Sequence, residues 1–387
     1  MLSEQVQPGV DKAAARRWDG TQYRPLRVLQ ITPRYHPLIG GVESHVAQVA
    51  GRMGRAGAEV TVLTTDPWGR WAQRERIDDV TIRRVRAWPA NRDYYLAPGL
   101  LGEVQPGAWD IVHVQSYHTL VAPLAMLAAW RARLPYVVTF HAGGHSSKLR
   151  NASRGTQKAM LRPLLARAAR LVALTEDEAD QLSAELHLPR ERFAVIANGA
   201  DLPALPAGAA PAPAPGLIAS VGRLERYKGH QRLIAALPEI LRQAPEAHVW
   251  IAGVGAYEPE LRRLAHTLGV ADRVEIRAIP PSERQRMAQE LSQAAVAVLL
   301  SEYETQPIAA LEALALSRPL LVADAPGLRE LAQRGWTRMI ALDSPPAAVA
   351  AAVVRELRDP LIPHHLDLPT WEHCASALLS LYQAVLH

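Results

Sequence analysis

LPALPAGAAPAPAP, residues 202–215, divides this sequence into two parts that read alike. Proline has no backbone N–H, and alternating alanine and proline offers no apolar face, so the stretch reads as a stiff linker. Before it, LRVLQIT (26–32), EVTVLTT (59–65), DIVHVQS (110–116), YVVTFH (136–141), RLVALT (170–175) and FAVIAN (193–198) are short apolar runs separated by amphipathic, helix-length intervals. After it the rhythm restarts with LIASVG (217–222), HVWIAG (248–253), RVEIRA (273–278), AVAVLL (295–300) and PLLVA (319–323). Such runs joined by helices are the pattern of parallel strands buried on both faces. TIRRVRA (81–87) alternates apolar with polar residues instead, which predicts a place near a sheet edge. The expected fold class is α/β, with two Rossmann-like, doubly wound domains flanking the linker. The expected boundaries are an N-terminal extension over 1–24 that is loosely ordered, domains over 25–201 and 216–362 on either side of the linker, and a final helix over 363–387. That helix carries Trp371, Ala375, Leu378, Leu379, Tyr382 and Leu386 on one face, a packing stripe.

Composition narrows the classes of function. With 49% apolar and 21% charged residues, the chain is an ordinary globular one. A single cysteine, Cys374, forms no intrachain disulfide, which favours a reducing cytoplasm. No run approaches the roughly 18 apolar residues of a membrane span, and the first twenty residues lack the apolar core of a secretory signal. The net charge of +5 does not point to nucleic acid, because the cations are spread along the chain rather than gathered with aromatics. One stretch departs from that spread. Residues 141–170 hold Lys148, Arg150, Arg154, Lys158, Arg162, Arg167 and Arg170 with no acid among them. This is either a solvated helix face or a cationic surface for anionic lipid or a phosphorylated acceptor.

Four segments carry residues suited to chemistry. In SEYETQPIAALEALALSRPLLVA, Glu304 stands just before a helix and Glu312 inside it, with Pro307 suited to the first turn. The N-terminus of such a helix, following a strand, favours anions. Glu312 would reach ribose hydroxyls and Glu304 a sugar at the mouth; two ordinary helix-end acids are the alternative. In SVGRLERYKGH, Gly222 and Arg223 end a strand and Lys228 opens a helix, a cation pair fit for a diphosphate or else an exposed loop. HPLIGGVESHV places Gly40 and Gly41 between strand and helix, where backbone approaches a phosphate or simply turns. Gly253 and Gly255 imitate a dinucleotide fingerprint, but its third glycine position holds Glu258, so a nicotinamide enzyme is poorly supported. Finally, YVVTFHAGGH ends a strand on His141, followed by Gly143, Gly144 and His145. The carboxyl ends of parallel strands line the crevice of an open sheet.

In this order, GGVESHV, AGAEVTVLTT, WDIVHVQS, VVTFHAGG, LVALTEDEADQL, VIANGADL, SVGRLERYKGH, WIAGVGAYEPELRRLA, the Glu304–Glu312 spacing and TWEHCASALLSLY resemble glycosyltransferase family 4. The resemblance covers nearly all of residues 27–382 and implies a GT-B fold, two Rossmann-like domains facing a central cleft, with a terminal helix crossing back to the first domain. It implies retaining transfer of a hexose-type sugar from a UDP- or GDP-sugar to a hydroxyl acceptor: a sugar, a lipid-linked acceptor or a small molecule. Such an enzyme makes glycan, glycolipid or exopolysaccharide. Arg223 and Lys228 would hold the donor diphosphate, Glu312 the ribose, and Glu304 the donor sugar. Gly41 would lie near the phosphates, Gly40 and Gly222 elsewhere in the donor site, and His141 near the transferred sugar. No cofactor is implied beyond the nucleotide-sugar co-substrate, and no metal. The enzyme is expected in the cytoplasm, with a peripheral contact at an anionic inner membrane face and no nucleic-acid partner. Two alternatives share the fold: a nucleotide-sugar epimerase and a non-catalytic binding subunit. One departure stands out. After Glu304 the family's Gly-aromatic-Gly-like run is replaced by Thr305-Gln306-Pro307, leading into Ile308. Proline removes a donor N–H and Gln306 adds a side-chain amide, which implies altered sugar selectivity. Arg318 likewise stands where a small residue is usual.

Overall fold

The structure, a computed structural model, describes residues 10, 12–18, 22–38, 40–90, 96–117, 119–141, 148–200, 202, 205, 212–280 and 283–387. Two compact units result. The first comprises residues 1–142, 152–199 and 369–387, and the second 143–151 and 200–368. Most of the linker, including its central run, lies outside the described residues.

In the first unit the strands are β1 (Arg16–Trp18), β2 (Tyr23–Pro25), β3 (Arg27–Ile31), β4 (Glu59–Asp66), β5 (Arg74–Ile77), β6 (Val80–Arg86), β7 (Ile111–Gln115), β8 (Tyr136–Thr139), β9 (Arg170–Ala173) and β10 (Phe193–Val195). Eight of them form one sheet in the order β10-β9-β8-β7-β3-β4-β6-β5. All pairings in it are parallel except β5 with β6. The chain builds outward from β3 through β4 to β6, then returns to the other side of β3 with β7. The reversal leaves a switch point between β3 and β7, and crevices at such points bind ligands in open sheets. β6, with its alternating residues, lies one strand in from the edge and is covered there by the short, Arg-rich β5.

The described part of residues 1–24 is folded, contrary to the expected loose extension. β1 pairs antiparallel with β2, and this hairpin is tied to the sheet by one carboxylate. Asp110, 3% exposed at the foot of β7, accepts hydrogen bonds from Arg24 Nη1 and Nη2 (2.7 and 2.6 Å), Arg17 Nη1 (3.2 Å), Arg27 Nη2 (3.1 Å) and the Arg27 backbone N–H (2.8 Å). The arginines were legible only as scattered charge; their common partner lies more than eighty residues away in sequence.

The last helix, Trp371–Leu386, packs its buried Trp371, Cys374, Ala375, Leu378, Leu379 and Tyr382 within this same unit, against the helix Gly41–Arg55. Thr370 caps it by accepting the His373 N–H (3.1 Å). Glu372 joins the helix to Arg52 Nε (3.0 Å) and the Val10 N–H (2.6 Å), and Gln383 Nε2 donates to the Ala14 and Arg16 carbonyls.

The second unit holds β11 (Leu217–Val221), β12 (His248–Ala252), β13 (Val274–Ile276), β14 (Val296–Leu299), β15 (Leu320–Ala323) and β16 (Arg338–Ile340), all parallel, in the order β13-β12-β11-β14-β15-β16. Successive residues of each strand enter opposite cores. Ile218, Val249, Ile251, Val296 and Val298 face the helices His230–Gln243 and Pro346–Arg358. Ala219, Trp250, Ala297, Leu299 and Val322 face Arg284–Ser292 and Ile308–Ala315. Burial on both faces explains why these strands read as unbroken apolar runs. Their switch point lies between β11 and β14.

Candidate active site

The segments that follow β11 and β14 meet at the switch point of the second unit. After β11 the chain passes Gly222 and Arg223, makes a short 3-10 turn at Arg226–Lys228, and enters the helix His230–Gln243 through Gly229 at φ +79°. A side chain at Gly229 would overlap the Leu300 carbonyl oxygen, so two backbones pass in direct contact here. The Glu302 N–H donates to the Tyr227 carbonyl (2.8 Å), and Arg232 Nη1 to the Leu300 carbonyl (2.7 Å). This clamp puts Lys228 beside Glu304. Lys228 Nζ donates to Glu304 Oε1 at 2.6 Å, and Ser301 Oγ donates to the same oxygen at 2.7 Å. The two side chains are 17% and 10% exposed, so the pair is screened from bulk water but open on one side. On the far side the Glu304 N–H donates to the Pro326 carbonyl (3.0 Å), and Gly327 at φ +78° lets that loop lie against the Glu304 carbonyl.

Arg223 is more exposed. Its Nη2 donates to the Tyr227 hydroxyl (2.7 Å), and Nη1 lies 3.3 Å from Glu225. Lys228 Nζ sits 5.4 Å from the Tyr227 ring centroid, within cation–π range. Burial pushes the Tyr227 phenol up, against the opposing effect of Lys228 and Arg223. Beneath the loop His230 is buried. Its Nε2 faces the Arg223 carbonyl (3.3 Å), which can only accept, so Nδ1 accepts from Ser220 Oγ (2.9 Å). Burial lowers its pKa to about 4, and it holds the loop as a neutral ring.

Glu312 lies on the helix Ile308–Ala315, 4% exposed, paired with Arg284 from the start of the helix Arg284–Ser292. Nothing in the sequence marked Arg284 as a partner, since it stands 28 residues upstream in an ordinary polar run. Ser301 and Tyr227 were likewise passed over. Pro307 stands at the N-cap rather than inside the first turn, its carbonyl accepting from Ala310 (2.9 Å) and Leu311 (3.1 Å). The Ile308 N–H is already engaged by the Gln306 carbonyl (3.0 Å), and Thr305 Oγ1 lies 3.2 Å from the Tyr303 hydroxyl. Removing Arg284 takes a guanidinium partner from a buried carboxylate. Arg284→Ala is therefore expected to lose about 2 kcal/mol of stability, below the usual cost for a fully buried pair because Arg284 is a quarter exposed. A urea melt checks this, and Arg284→Lys recovers part of the loss.

The glycines at 253 and 255 serve packing. A side chain at Gly253 would overlap the Gly222 carbonyl oxygen and one at Gly255 the Leu224 carbonyl oxygen, so these residues let the loops after β11 and β12 touch.

In the first unit, Gly40 is extended and caps the helix Gly41–Arg55. A Cβ there would overlap the Glu43 carboxylate, whereas one at Gly41 would meet nothing within 4 Å among the described residues. The strand expected to end on His141 stops at Thr139, so that His141 stands two residues beyond β8, after the buried Phe140. Its Nε2 lies 2.8 Å from Gln115 Oε1, and its ring meets His45 edge-on, centroids 4.8 Å apart. Residues 142–147, which include Gly143, Gly144 and His145, lie outside the described residues, as do the side chains of Lys148, Arg150 and Arg154. Among the described residues no group of three His, Cys, Asp or Glu side chains is arranged to hold a metal, and no helix is long and apolar enough to cross a membrane.

Two family models match, Glycosyltransferase Family 4 over residues 39–203 and Glycosyl transferases group 1 over residues 208–368. The chain is 29% identical to the D-inositol 3-phosphate glycosyltransferase of Nocardiopsis dassonvillei over 422 residues, covering 93% of this chain and 95% of that one. It is 29% identical over 324 residues to the GDP-mannose:cellobiosyl-diphosphopolyprenol alpha-mannosyltransferase of Xanthomonas oryzae pv. oryzae, covering 81% and 83%. Among solved structures, sucrose-phosphate synthase from Thermosynechococcus elongatus superposes with a TM-score of 0.69 at 19% identity, covering 93% and 96%, a likeness of fold. With residues 39–203 and 208–368 matched and both units built on doubly wound, mainly parallel sheets, the chain belongs to glycosyltransferase family 4 and has the GT-B fold.

Proposed function

We propose that this glycosyltransferase moves a hexose-type sugar from a UDP- or GDP-sugar to a hydroxyl acceptor, with retention at the anomeric carbon and without a metal ion. The observation that carries this reading is the Lys228–Glu304–Ser301 cluster at the switch point of the second sheet. A leaving nucleoside diphosphate takes the electron pair of the broken sugar–oxygen bond, and its charge needs fixed cations. Lys228 and Arg223 follow β11 and supply them. Glu304 already engages Lys228, which orients an ammonium with further donors to spare. Its second oxygen suits a sugar hydroxyl. The acceptor oxygen forms the new bond, and its proton passes to the departing diphosphate, which holds the electron pair of the broken bond. Glu312, held on one oxygen by Arg284, is assigned the ribose hydroxyls, and His141 the neighbourhood of the transferred sugar. The named relatives use different acceptors, and the Thr305-Gln306-Pro307-Ile308 run is where we place sugar selectivity. The enzyme is assigned to glycan, glycolipid or exopolysaccharide synthesis in the cytoplasm. A peripheral contact with anionic membrane belongs to the same reading, supported by Arg167 lying over the half-exposed Trp130 ring.

A thermal-shift panel tests the donor assignment. UDP-glucose, UDP-galactose, UDP-N-acetylglucosamine and GDP-mannose are compared with free glucose and mannose. A matching donor at a hundredfold over its Kd stabilises the fold by about 2.7 kcal/mol, and the Lys228→Ala protein loses most of that shift. No shift with any nucleotide sugar contradicts the reading. A sugar isomerised on the donor in the absence of acceptor identifies an epimerase instead.

A further inference from the structure

β3, β7 and β8 are central strands buried on both faces, and such strands ordinarily carry apolar residues inward. Here Gln30, His113, Gln115 and Thr139 interrupt them, each no more than 1% exposed. Gln30 stands opposite His113, and Gln115 opposite Thr139. Together with Tyr382 of the last helix they form one hydrogen-bonded chain that reaches His141. His141 Nε2 lies 2.8 Å from Gln115 Oε1. Gln115 Nε2 donates to Gln30 Oε1 (2.7 Å), and Gln30 Nε2 donates to the Tyr382 hydroxyl (3.0 Å). That hydroxyl lies 2.5 Å from His113 Nδ1, and His113 Nε2 lies 2.6 Å from Thr139 Oγ1.

Such a chain has a direction, because each amide donates through nitrogen and accepts through oxygen. With Gln30 donating to it, the Tyr382 hydroxyl turns its own proton toward His113 Nδ1, and His113 then donates from Nε2 to Thr139. At the other end Gln115 presents only an oxygen, so the facing nitrogen of His141 carries a proton. None of the interior members changes charge near neutral pH. Burial, helped by the neighbouring His45, lowers His113 to about 3, and burial raises the Tyr382 phenol. A purely structural core would fill these places with apolar side chains at lower cost.

We propose that Tyr382, acting through Gln30 and Gln115, is a positioning residue that fixes His141 as the Nε2–H tautomer. In the neutral ring Nδ1 is then able only to accept, which suits a sugar hydroxyl and rejects a carbonyl or phosphate oxygen. The consequence for sugar recognition rests on the assignment of His141 to the transferred sugar; the tautomer itself does not.

Nitrogen-15 NMR of the histidine-labelled full chain tests it without any substrate, His141 being identified by the signals lost in His141→Gln. The parent is expected to show a protonated-type shift at Nε2 and an unprotonated-type shift at Nδ1. In Tyr382→Phe, Gln30 loses its anchor, the amides are free to turn over, and the two shifts move toward each other. Gln115→Met, which removes the partner of His141 itself, gives the same change should Tyr382→Phe fail to fold. A parent His141 protonated at Nδ1 overturns the proposal, and so does an unchanged tautomer in either variant whose melting curve shows it folded. Failure of the sugar assignment shows differently, as unaltered donor turnover in His141→Gln alongside the expected NMR shifts.

Discussion

Lys228→Ala is expected to lower kcat for sugar transfer by roughly a hundred- to a thousandfold, the usual cost of losing one fixed donor aimed at developing charge. Its ammonium is anchored at 2.6 Å by a carboxylate that is itself held by Ser301, and the loop carrying it is clamped at Gly229 and Glu302. The group is thus pre-positioned, and little reorganisation is left for the moment of bond breaking. Stability changes much less, since Glu304 keeps the Ser301 hydrogen bond and faces partly outward. The diagnostic result is a collapsed kcat with a melting temperature close to the parent's. Lys228→Arg does not restore the rate fully, because a planar guanidinium cannot take the tetrahedral place between carboxylate and phosphate. Turnover within threefold of the parent would remove Lys228 from the mechanism.

The largest effect on stability is expected at Asp110. Substituting asparagine keeps the shape and removes the charge that three guanidinium groups share. The arginines are each about a third exposed and partly hydrated, so the loss is about 2–3 kcal/mol rather than the upper end for a fully buried cluster. Burial alone would raise the Asp110 carboxyl, but the hydrogen bonds from Arg24 and Arg27 outweigh it and hold the group well below the usual carboxylate range. A depressed folded-state pKa means that the stabilisation is fully present above the unfolded value of about 3.9 and is lost as pH falls through the folded value. Parent and Asp110→Asn melting temperatures therefore differ by a constant amount above about pH 5 and converge below pH 4. A gap that stays constant down to pH 2 would show that shape, not charge, holds the hairpin.

What the sequence conveyed, and what it did not, follows from range. Parallel strands buried on both faces announce themselves locally, and LIASVG, HVWIAG and AVAVLL were read where β11, β12 and β14 lie. Three-residue β1 and β2 carry Arg, Trp and Tyr with no periodicity, and their stability comes from Asp110, far along the chain. The site shows the same division. Glu304 and Lys228 stood out because strand, loop and helix N-terminus occur together in one segment. Ser301 and Arg284 did not, because a serine at a strand end and an arginine opening a helix are commonplace until their partners are known. The glycines at 253 and 255 imitate a dinucleotide fingerprint by spacing, a reading that Glu258 already spoke against, and what requires glycine there is the neighbouring loop's backbone. Gln30 and Gln115 were visible yet unused: a glutamine inside LRVLQIT or DIVHVQS breaks the apolar rule of a central strand, and such breaks mark positions kept for something other than packing.

The last helix has a consequence for how the protein is made. The first unit is encoded mostly by the first half of the chain, yet its Gly41–Arg55 helix, its N-terminal hairpin and its buried Gln30 and His113 all wait for partners in residues 371–386. Domains generally fold in the order in which they emerge during synthesis. Here the second unit can finish while the first still has an open apolar face, so the unit begun first is completed last, after the whole of the second has been translated.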